Sequence, residues 1–276
     1  MESIGAQPCV SDRMAFRWEW QGHEMNFCVH VDDIVATPSS EAIRAEFEDR
    51  LAAYFGRDRV TGGEETSYVL GMRIDRDWEK QTVKISQGAF ARKFLENCGV
   101  EESRRVARSP LPDGCELRKW DGEAVDAETF DYLMVVGSLQ WMVCTTRPDL
   151  AQATGMLARY SNNPGPDHVN AAKHVLRYVA GTCDLGVTYH GSPEVLLRGY
   201  DHRDKLIAAV DSDLGGCQDS QKSTAGVLVM LNGGAISWKS RKMSSRPRKR
   251  QGWRPWRSRG CVIWCRSWGC GKDACA

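Results

Sequence analysis

The sequence predicts an α+β chain of at least two units. Strand-like alternation fills much of the chain before Gly99, helical periodicity dominates residues 127–180, and strand patterns return from Leu185 onward. No internal repeat is visible, and 276 residues with 42% apolar content suffice for two or three small cores.

In chain order, residues 25–37 (MNFCVHVDDIVAT) alternate as a strand, an Asp-Asp turn and a second strand, with Phe27, Val29 and Val31 sharing one face. A helix is expected from a Ser39 or Ser40 cap, with Ile43, Phe47 and Leu51 recurring every fourth residue and Gly56 as the stop. SYVLGMRI and TVKIS read as a hairpin, and GAFARKFLENCG as a short helix ending at Gly99. From Val100 to about Glu123 the chain is polar and broken by Pro110, Pro112 and Gly114, the pattern of a connector rather than a core element. Helices follow over 127–145, 148–161 and 166–180, separated at Pro148 and at Asn162, Asn163, Pro164 and Gly165. The last part holds strand patterns in LGVTYH, EVLLRGY, LIAAVDSD, AGVLVMLN and AISWKS.

Composition narrows the class. No run approaches the roughly 18 apolar residues of a membrane span, and the opening MESIGAQPCV lacks the layout of a secretory signal, so an intracellular protein without a membrane partner is expected. The net charge of +1 conceals an asymmetry: residues 241–276 hold eleven Lys or Arg against one acid, Asp273, leaving the rest at about −9. Seven cysteines are scattered singly and read as reduced, mostly buried thiols. Cys261, Cys265, Cys270 and Cys275 crowd the basic tail; they read as a zinc site or as chance composition, and the lack of a C-x-x-C pair or a histidine favours chance.

Two acidic clusters carry candidate chemistry. Asp32 and Asp33 fall where a tight turn belongs, although such turns favour Asn-Gly or Asp-Gly. They read either as a solvated turn or as a divalent-cation site, whose metal would neutralise the repulsion between adjacent carboxylates. Asp211 and Asp213 close the strand LIAAVDSD and read equally as a solvated strand end or as half of a metal site.

The order of segments resembles the Pol polyprotein of copia-type retrotransposons from about Gln7 to Met243. HVDDIVAT resembles the Tyr-Val-Asp-Asp strand-turn-strand of reverse transcriptase. YVLGMRI with VKISQGAFARKFLENCGV resembles the primer-grip hairpin and thumb-side helix, and VARSPLP the Thr-Pro-Leu connector. VGSLQWMVCTTRPDLAQATGMLARYSNNPGPDHVNAAKHVLRYVAGT resembles the helical signature between polymerase and RNase H. VDSDLGGCQDSQKSTAGVLVMLNGGAISWKSRK resembles the opening strands of RNase H. Five blocks in the family's order make the match specific, where any one would be weak.

The resemblance implies a partial reverse-transcriptase palm over residues 1–60, a thumb-side region and connector over 61–125, a helical connection over 126–184 and an incomplete RNase H-like mixed sheet over 185–243. It implies that Asp32 and Asp33 are two of three metal-binding aspartates, and that Asp211, with Asp213 nearby, begins an RNase H site. The cofactor would be Mg²⁺ or Mn²⁺, and the partners an RNA template and a DNA primer. His30 stands where the family places tyrosine beside nucleotide and primer. Arg147, Arg159, Lys173, His174 and Arg177 are expected to track a template-primer duplex, the other reading being a solvated helix face or, for Arg147, an Arg-Pro-Asp turn pairing its own charges. Pro166 and His168 read as a helix start rather than a metal ligand.

Two departures from the family bear on activity. Only 31 residues precede Asp32, too few for the strand bearing the third aspartate, and after SWKSRKMSS the chain has no glutamate where the family writes Ser-Thr-x-Glu-Ala-Glu. The isolated chain is therefore expected to be inactive, since a two-metal site missing a ligand loses its register. The tail 244–276, with Trp253, Trp256, Trp264 and Trp268 among its arginines, reads as an out-of-frame translation. Tryptophan is always TGG, and one base earlier each Trp-Arg pair becomes Leu, Met or Val followed by Ala or Glu. The competing readings are a non-catalytic nucleic-acid-binding protein derived from such an element and one half of a split polymerase.

Overall fold

The structure, a computed structural model, describes residues 4–62, 67–100, 106–191, 206–213, 215–244 and 261–262. Helices and antiparallel sheets combine in it as the α+β class requires, and the chain divides into two compact units, Met1–Val69 and Leu70–Ala276. Among the described residues no helix is long and apolar enough to cross a membrane.

The first unit is one antiparallel sheet covered by one helix. Strands β1 (Gln7–Pro8), β2 (Ala15–Trp20), β3 (His23–His30) and β4 (Asp33–Pro38) pair in the order β1-β2-β3-β4. β1 and β2 lie upstream of the first strand read from the sequence. The clean alternation of AFRWEW, which buries Phe16 and Trp18 and exposes Arg17 and Glu19, was the signal for β2. Helix α1 (Glu41–Phe55) starts at Ser40, whose side chain accepts from Ile43 N–H at 3.4 Å, and stops at Gly56, where φ is 98°. Ile43, Phe47 and Leu51 line its inner face and bury against Phe16, Trp18, Met25 and Phe27. A two-residue strand, β5 (Tyr68–Val69), ends this unit.

The turn between β3 and β4 departs from the expected geometry by one residue. His30 pairs with Asp33, so the two turn residues are Val31 and Asp32, and Asp33 begins β4. Val31 has φ 54° and is 83% exposed, so it leaves the face it was expected to share with Phe27 and Val29. A β-branched side chain at positive φ is strained by about 1–3 kcal/mol. Replacing Val31 with Gly removes the strain and no buried contact. After the entropy that glycine adds to the unfolded chain, a gain of about 1 kcal/mol is expected. A melting curve resolving the first unit should shift up by about 4–8 °C, and a downward shift would refute the strain.

The second unit combines a helical core with two antiparallel sheets. SYVLGMRI is not one strand, because Leu70 and Gly71 both take positive φ, at 48° and 78°. Strands β6 (Met72–Asp77) and β7 (Thr82–Ser86) form the expected hairpin. β8 (Gly186–His190), grouped by sequence with the strands after residue 185, instead pairs with β7, placing Val187 opposite Ile85.

Helices α2 (Gly88–Asn97), α3 (Tyr132–Thr145), α4 (Ala151–Leu157) and α5 (Pro166–Ala180) supply most of the core, around Leu139, Met142, Leu157, Val175 and Leu176. α3 begins at Asp131, whose carboxylate accepts from Met134 N–H at 2.9 Å, later than the expected start at 127. The segment expected over 148–161 tightens at both ends into 3₁₀ turns around α4.

The connector is less of a linker than its composition suggested. Leu117 is buried, Arg118 C=O accepts from His168 Nε2 at 2.9 Å, and the Tyr160 hydroxyl lies 2.7 Å from Leu117 C=O. His168 Nδ1 accepts from Gly165 N–H at 2.8 Å, so this residue caps α5 as expected of a helix start.

β9 (Leu206–Ser212), β10 (Thr224–Leu231), β11 (Gly234–Lys242) and β12 (Cys261–Val262) form an antiparallel sheet in the order β11-β10-β9-β12. The Trp238 indole N–H donates to Val143 C=O at 2.7 Å, fastening β11 to α3. The strand expected at 194–200 and the tail outside Cys261–Val262 lie outside the described residues. Of the seven cysteines before the basic tail, all free, Cys217 alone is buried and Cys9, Cys28 and Cys144 are exposed, correcting the expectation of mostly buried thiols.

Candidate metal and nucleic-acid sites

The β3–β4 hairpin carries His30, Asp32 and Asp33 at one exposed end. The ladder fixes their order: His30 closes β3, Asp32 completes the two-residue turn, and Asp33 opens β4. Among the described residues neither aspartate side chain makes a hydrogen bond or ion pair. Two adjacent carboxylates offer hard oxygen donors suited to one Mg²⁺ sharing its remaining positions with water or phosphate. They do not make the full set a two-metal centre needs, and no group of three or more His, Cys, Asp or Glu able to hold a metal ion forms among the described residues.

Asp211 is the penultimate residue of β9, and Asp213 follows the strand's last residue. Asp211 stands opposite Gly226 of β10 and accepts from Ser212 N–H at 2.8 Å. A Cβ at Gly226 would meet the Asp211 carbonyl oxygen at 3.9 Å, an ordinary van der Waals contact. One Asp213 oxygen accepts from Thr224 N–H at 2.7 Å and Gly216 N–H at 3.3 Å, anchoring the loop that follows. Arg159 reaches the same strand end, its Nη2 donating to Thr224 Oγ1 at 3.2 Å. Nothing local to Arg159 signals this acidic neighbourhood, because its contact with Thr224 spans 65 positions.

Lys173 and Arg177, four residues apart on α5, are both exposed on one side of the helix. Lys173 Nζ sits 5.6 Å from the centre of the Phe130 ring, and Arg177 lies beside His174, whose Nε2 contacts Ser109 C=O at 3.2 Å.

Arg147 is corrected from a duplex contact to a structural residue. It is 1% exposed, and its guanidinium donates to the Asp149 carboxylate at 2.8 and 2.9 Å, to Thr182 C=O at 2.9 Å and to Thr182 Oγ1 at 2.8 Å. Tyr178 completes the group, donating its hydroxyl to Asp149 at 3.0 Å while its ring lies 5.7 Å from the guanidinium carbon. Burial, and then Asp149, push the Tyr178 phenol pKa up, so it remains a donor at neutral pH. The neighbouring Gln87 is also buried, accepting from the hydroxyls of Thr145 and Thr146. The Arg-Pro-Asp spacing announced the Asp149 partner, whereas nothing local pointed to Thr182.

Over 226 residues the chain is 30% identical to the retrovirus-related Pol polyprotein from transposon TNT 1-94 of Nicotiana tabacum, an alignment covering 79% of this chain and 16% of that protein. It is 31% identical over 240 residues to the Pol polyprotein from transposon RE2 of Arabidopsis thaliana, covering 87% and 15%. The chain belongs to the Pol polyproteins of copia-type retrotransposons. It spans about one sixth of the length of these Pol relatives. A shorter similarity, 39% identity over 111 residues, links the Pol chain to the secreted RxLR effector protein 161 of Plasmopara viticola, covering 40% of this chain and 72% of that one. No family model and no solved structure matches it.

Proposed function

We propose that this stretch of Pol serves RNA-directed DNA synthesis and RNase H cleavage, with residues 1–60 as part of the palm, 61–125 as the thumb-side region and connector, 126–184 as the helical connection and 185–243 as the opening of RNase H. The observation that carries this is the hairpin tip, where Asp32 and Asp33 present two exposed carboxylates free of protein partners among the described residues. β4 is an edge strand among the described residues, leaving room for a further strand beside the aspartates. Mg²⁺ or Mn²⁺ bound there would supply charge neutralisation at a transferring phosphoryl group. The chain's own residues orient: Asp32 and Asp33 hold hard-cation oxygens in place, His30 borders them, and Lys173 and Arg177 with Arg159 hold phosphates of an RNA template–DNA primer duplex. Asp211 on β9 and Asp213 just past its end offer the corresponding carboxylates. An intracellular setting, cytoplasmic or nuclear, accords with such partners.

Two carboxylates do not fix a pair of ions, so the 276-residue chain alone is expected to show no primer extension with Mg²⁺ or Mn²⁺. The metal reading is tested directly by Mn²⁺ titration. Paramagnetic broadening should centre on amides 30–34 and vanish in Asp32→Asn; broadening spread evenly over the acidic surface would overturn it. Competing with the catalytic reading is a non-catalytic duplex-binding role resting on the exposed Lys173–Arg177 pair. Salt-dependent binding that persists in Asp32→Asn while Mn²⁺ leaves the hairpin unperturbed would favour it.

A further inference from the structure

We propose that Asn232 is a deamidation site gated by β8: the bond from His190 N–H to Asn232 C=O holds it unreactive, and release of β8 from the β10–β11 hairpin opens it. Of the six asparagines in the chain only Asn232 precedes a glycine, and a residue without a side chain leaves its amide nitrogen free to approach the asparagine side chain. Asn232 and Gly233 are the two loop residues of the β10–β11 hairpin, since Leu231 pairs with Gly234. Their φ angles are 50° and 81°, and positive φ at both positions defines a type I′ turn.

The reaction needs a different turn. The Gly233 nitrogen attacks Cγ of the Asn232 side chain. An N–C bond forms, the bond from Cγ to the side-chain nitrogen breaks, and ammonia leaves with the proton of Gly233 N–H. Water then opens the five-membered succinimide at either carbonyl, giving aspartate or isoaspartate, with no change of oxidation state. Ring closure brings the Gly233 nitrogen to the same side as Asn232 Cβ, which takes ψ of Asn232 from about +30° in a type I′ turn to about −120° in a type II′ turn. That change is a flip of the Asn232–Gly233 peptide, and it carries Asn232 C=O to the opposite side of the loop.

β8 blocks the flip. His190 N–H donates to Asn232 C=O at 2.9 Å, so turning the carbonyl away leaves this strand-end N–H without its acceptor. One residue earlier, the Tyr189 hydroxyl donates to Ala235 C=O at 2.9 Å, and a Cβ at Gly234 would collide with the Tyr189 ring, so β8 packs flush on the hairpin. Burial pushes the Tyr189 phenol pKa up, which keeps it a donor at neutral pH. Isoaspartate routes the main chain through the side-chain carbon and lengthens the loop by a methylene, so the modified turn no longer fits the pairing of Leu231 with Gly234. Modification thus leaves a covalent record of chains in which β8 has let go.

The test is peptide mapping by mass spectrometry of the full chain kept at neutral pH, with deamidation at Asn232 followed over days in buffer and in guanidinium chloride. The native chain should react at least about tenfold more slowly than the unfolded one, as a site that reacts only through local opening does. His190→Pro, which removes the N–H, should speed the native reaction by about two- to tenfold, the factor one backbone hydrogen bond sets, and leave the unfolded rate unchanged. Equal native and unfolded rates overturn the proposal, and so does a native rate indifferent to His190→Pro. If His190→Pro does not fold, Tyr189→Phe, which removes the other bond from β8 to the hairpin, is measured with the same two outcomes.

Discussion

Asp149→Ala is expected to destabilise the second unit by about 3–5 kcal/mol, among the largest losses any single polar substitution in this chain should cause. The reason is an asymmetry inside the Arg147 group. The Asp149 side chain is 31% exposed and can be hydrated if its partner is lost, whereas the Arg147 guanidinium is 1% exposed and cannot. Removing the carboxylate leaves a buried positive charge with only the Thr182 oxygens and the Tyr178 ring for company. Arg147→Met should cost less, about 1–3 kcal/mol, chiefly through the unpaired Thr182 carbonyl. Arg147→Lys should not rescue, because an ammonium cannot reproduce the forked contact with Asp149 and Thr182 together. Urea unfolding followed by circular dichroism gives these numbers. The double variant Arg147→Met, Asp149→Leu discriminates causes: it should recover much of the Asp149→Ala loss, and if it is equally unstable the buried-charge account fails.

Phe27→Ala is expected to unfold the first unit almost entirely. Phe27 is 2% exposed, stacked on Phe16 with ring centres 5.2 Å apart and tilted against Phe47 at 4.8 Å. Deleting a buried phenylalanine costs about 3–5 kcal/mol, and lost ring pairs add roughly 0.5–1.5 kcal/mol each. A unit ending at Val69 has a total stability of only about 3–10 kcal/mol. Hydrogen exchange should therefore show peptides from β2, β3 and α1 losing protection while those from α3 and α5 keep theirs. Unchanged protection in β3 and α1 would show that the Phe16–Phe27–Phe47 stack is not what holds the sheet to the helix.

Much of this architecture was legible because its cause is local. The every-fourth-residue pattern of Ile43, Phe47 and Leu51 with the Ser40 cap specified α1, and Pro166 with His168 specified the start of α5. The block order in the chain was sufficient to recognise the Pol family, since motif order is a property of the sequence alone. That Asp32 and Asp33 lie at a hairpin end was likewise legible, because alternation on both sides leaves a turn near them, although its two residues are Val31 and Asp32.

What the tertiary structure decided lies wherever two distant segments meet or a backbone angle sets the register. Arg147 reads from its neighbours as a phosphate-facing basic residue or as an Arg-Pro-Asp turn pairing its own charges. Its burial follows from Thr182, 35 positions away, which accepts the two bonds Asp149 does not. β8 joins β7 rather than the strands that follow it, and composition cannot express such a choice because both partners are ordinary strands. The hairpin turn slides one residue toward Val31 because pairing His30 with Asp33 fixes the two-residue loop, and the ladder outweighs the preference of valine against positive φ. The sequence by itself determined which segments are helix or strand and which family they form, because periodicity and motif order are written within a few residues of each other. Which charges are buried, and which strands share a sheet, depend on contacts between residues far apart in the chain, and only the folded chain makes those contacts.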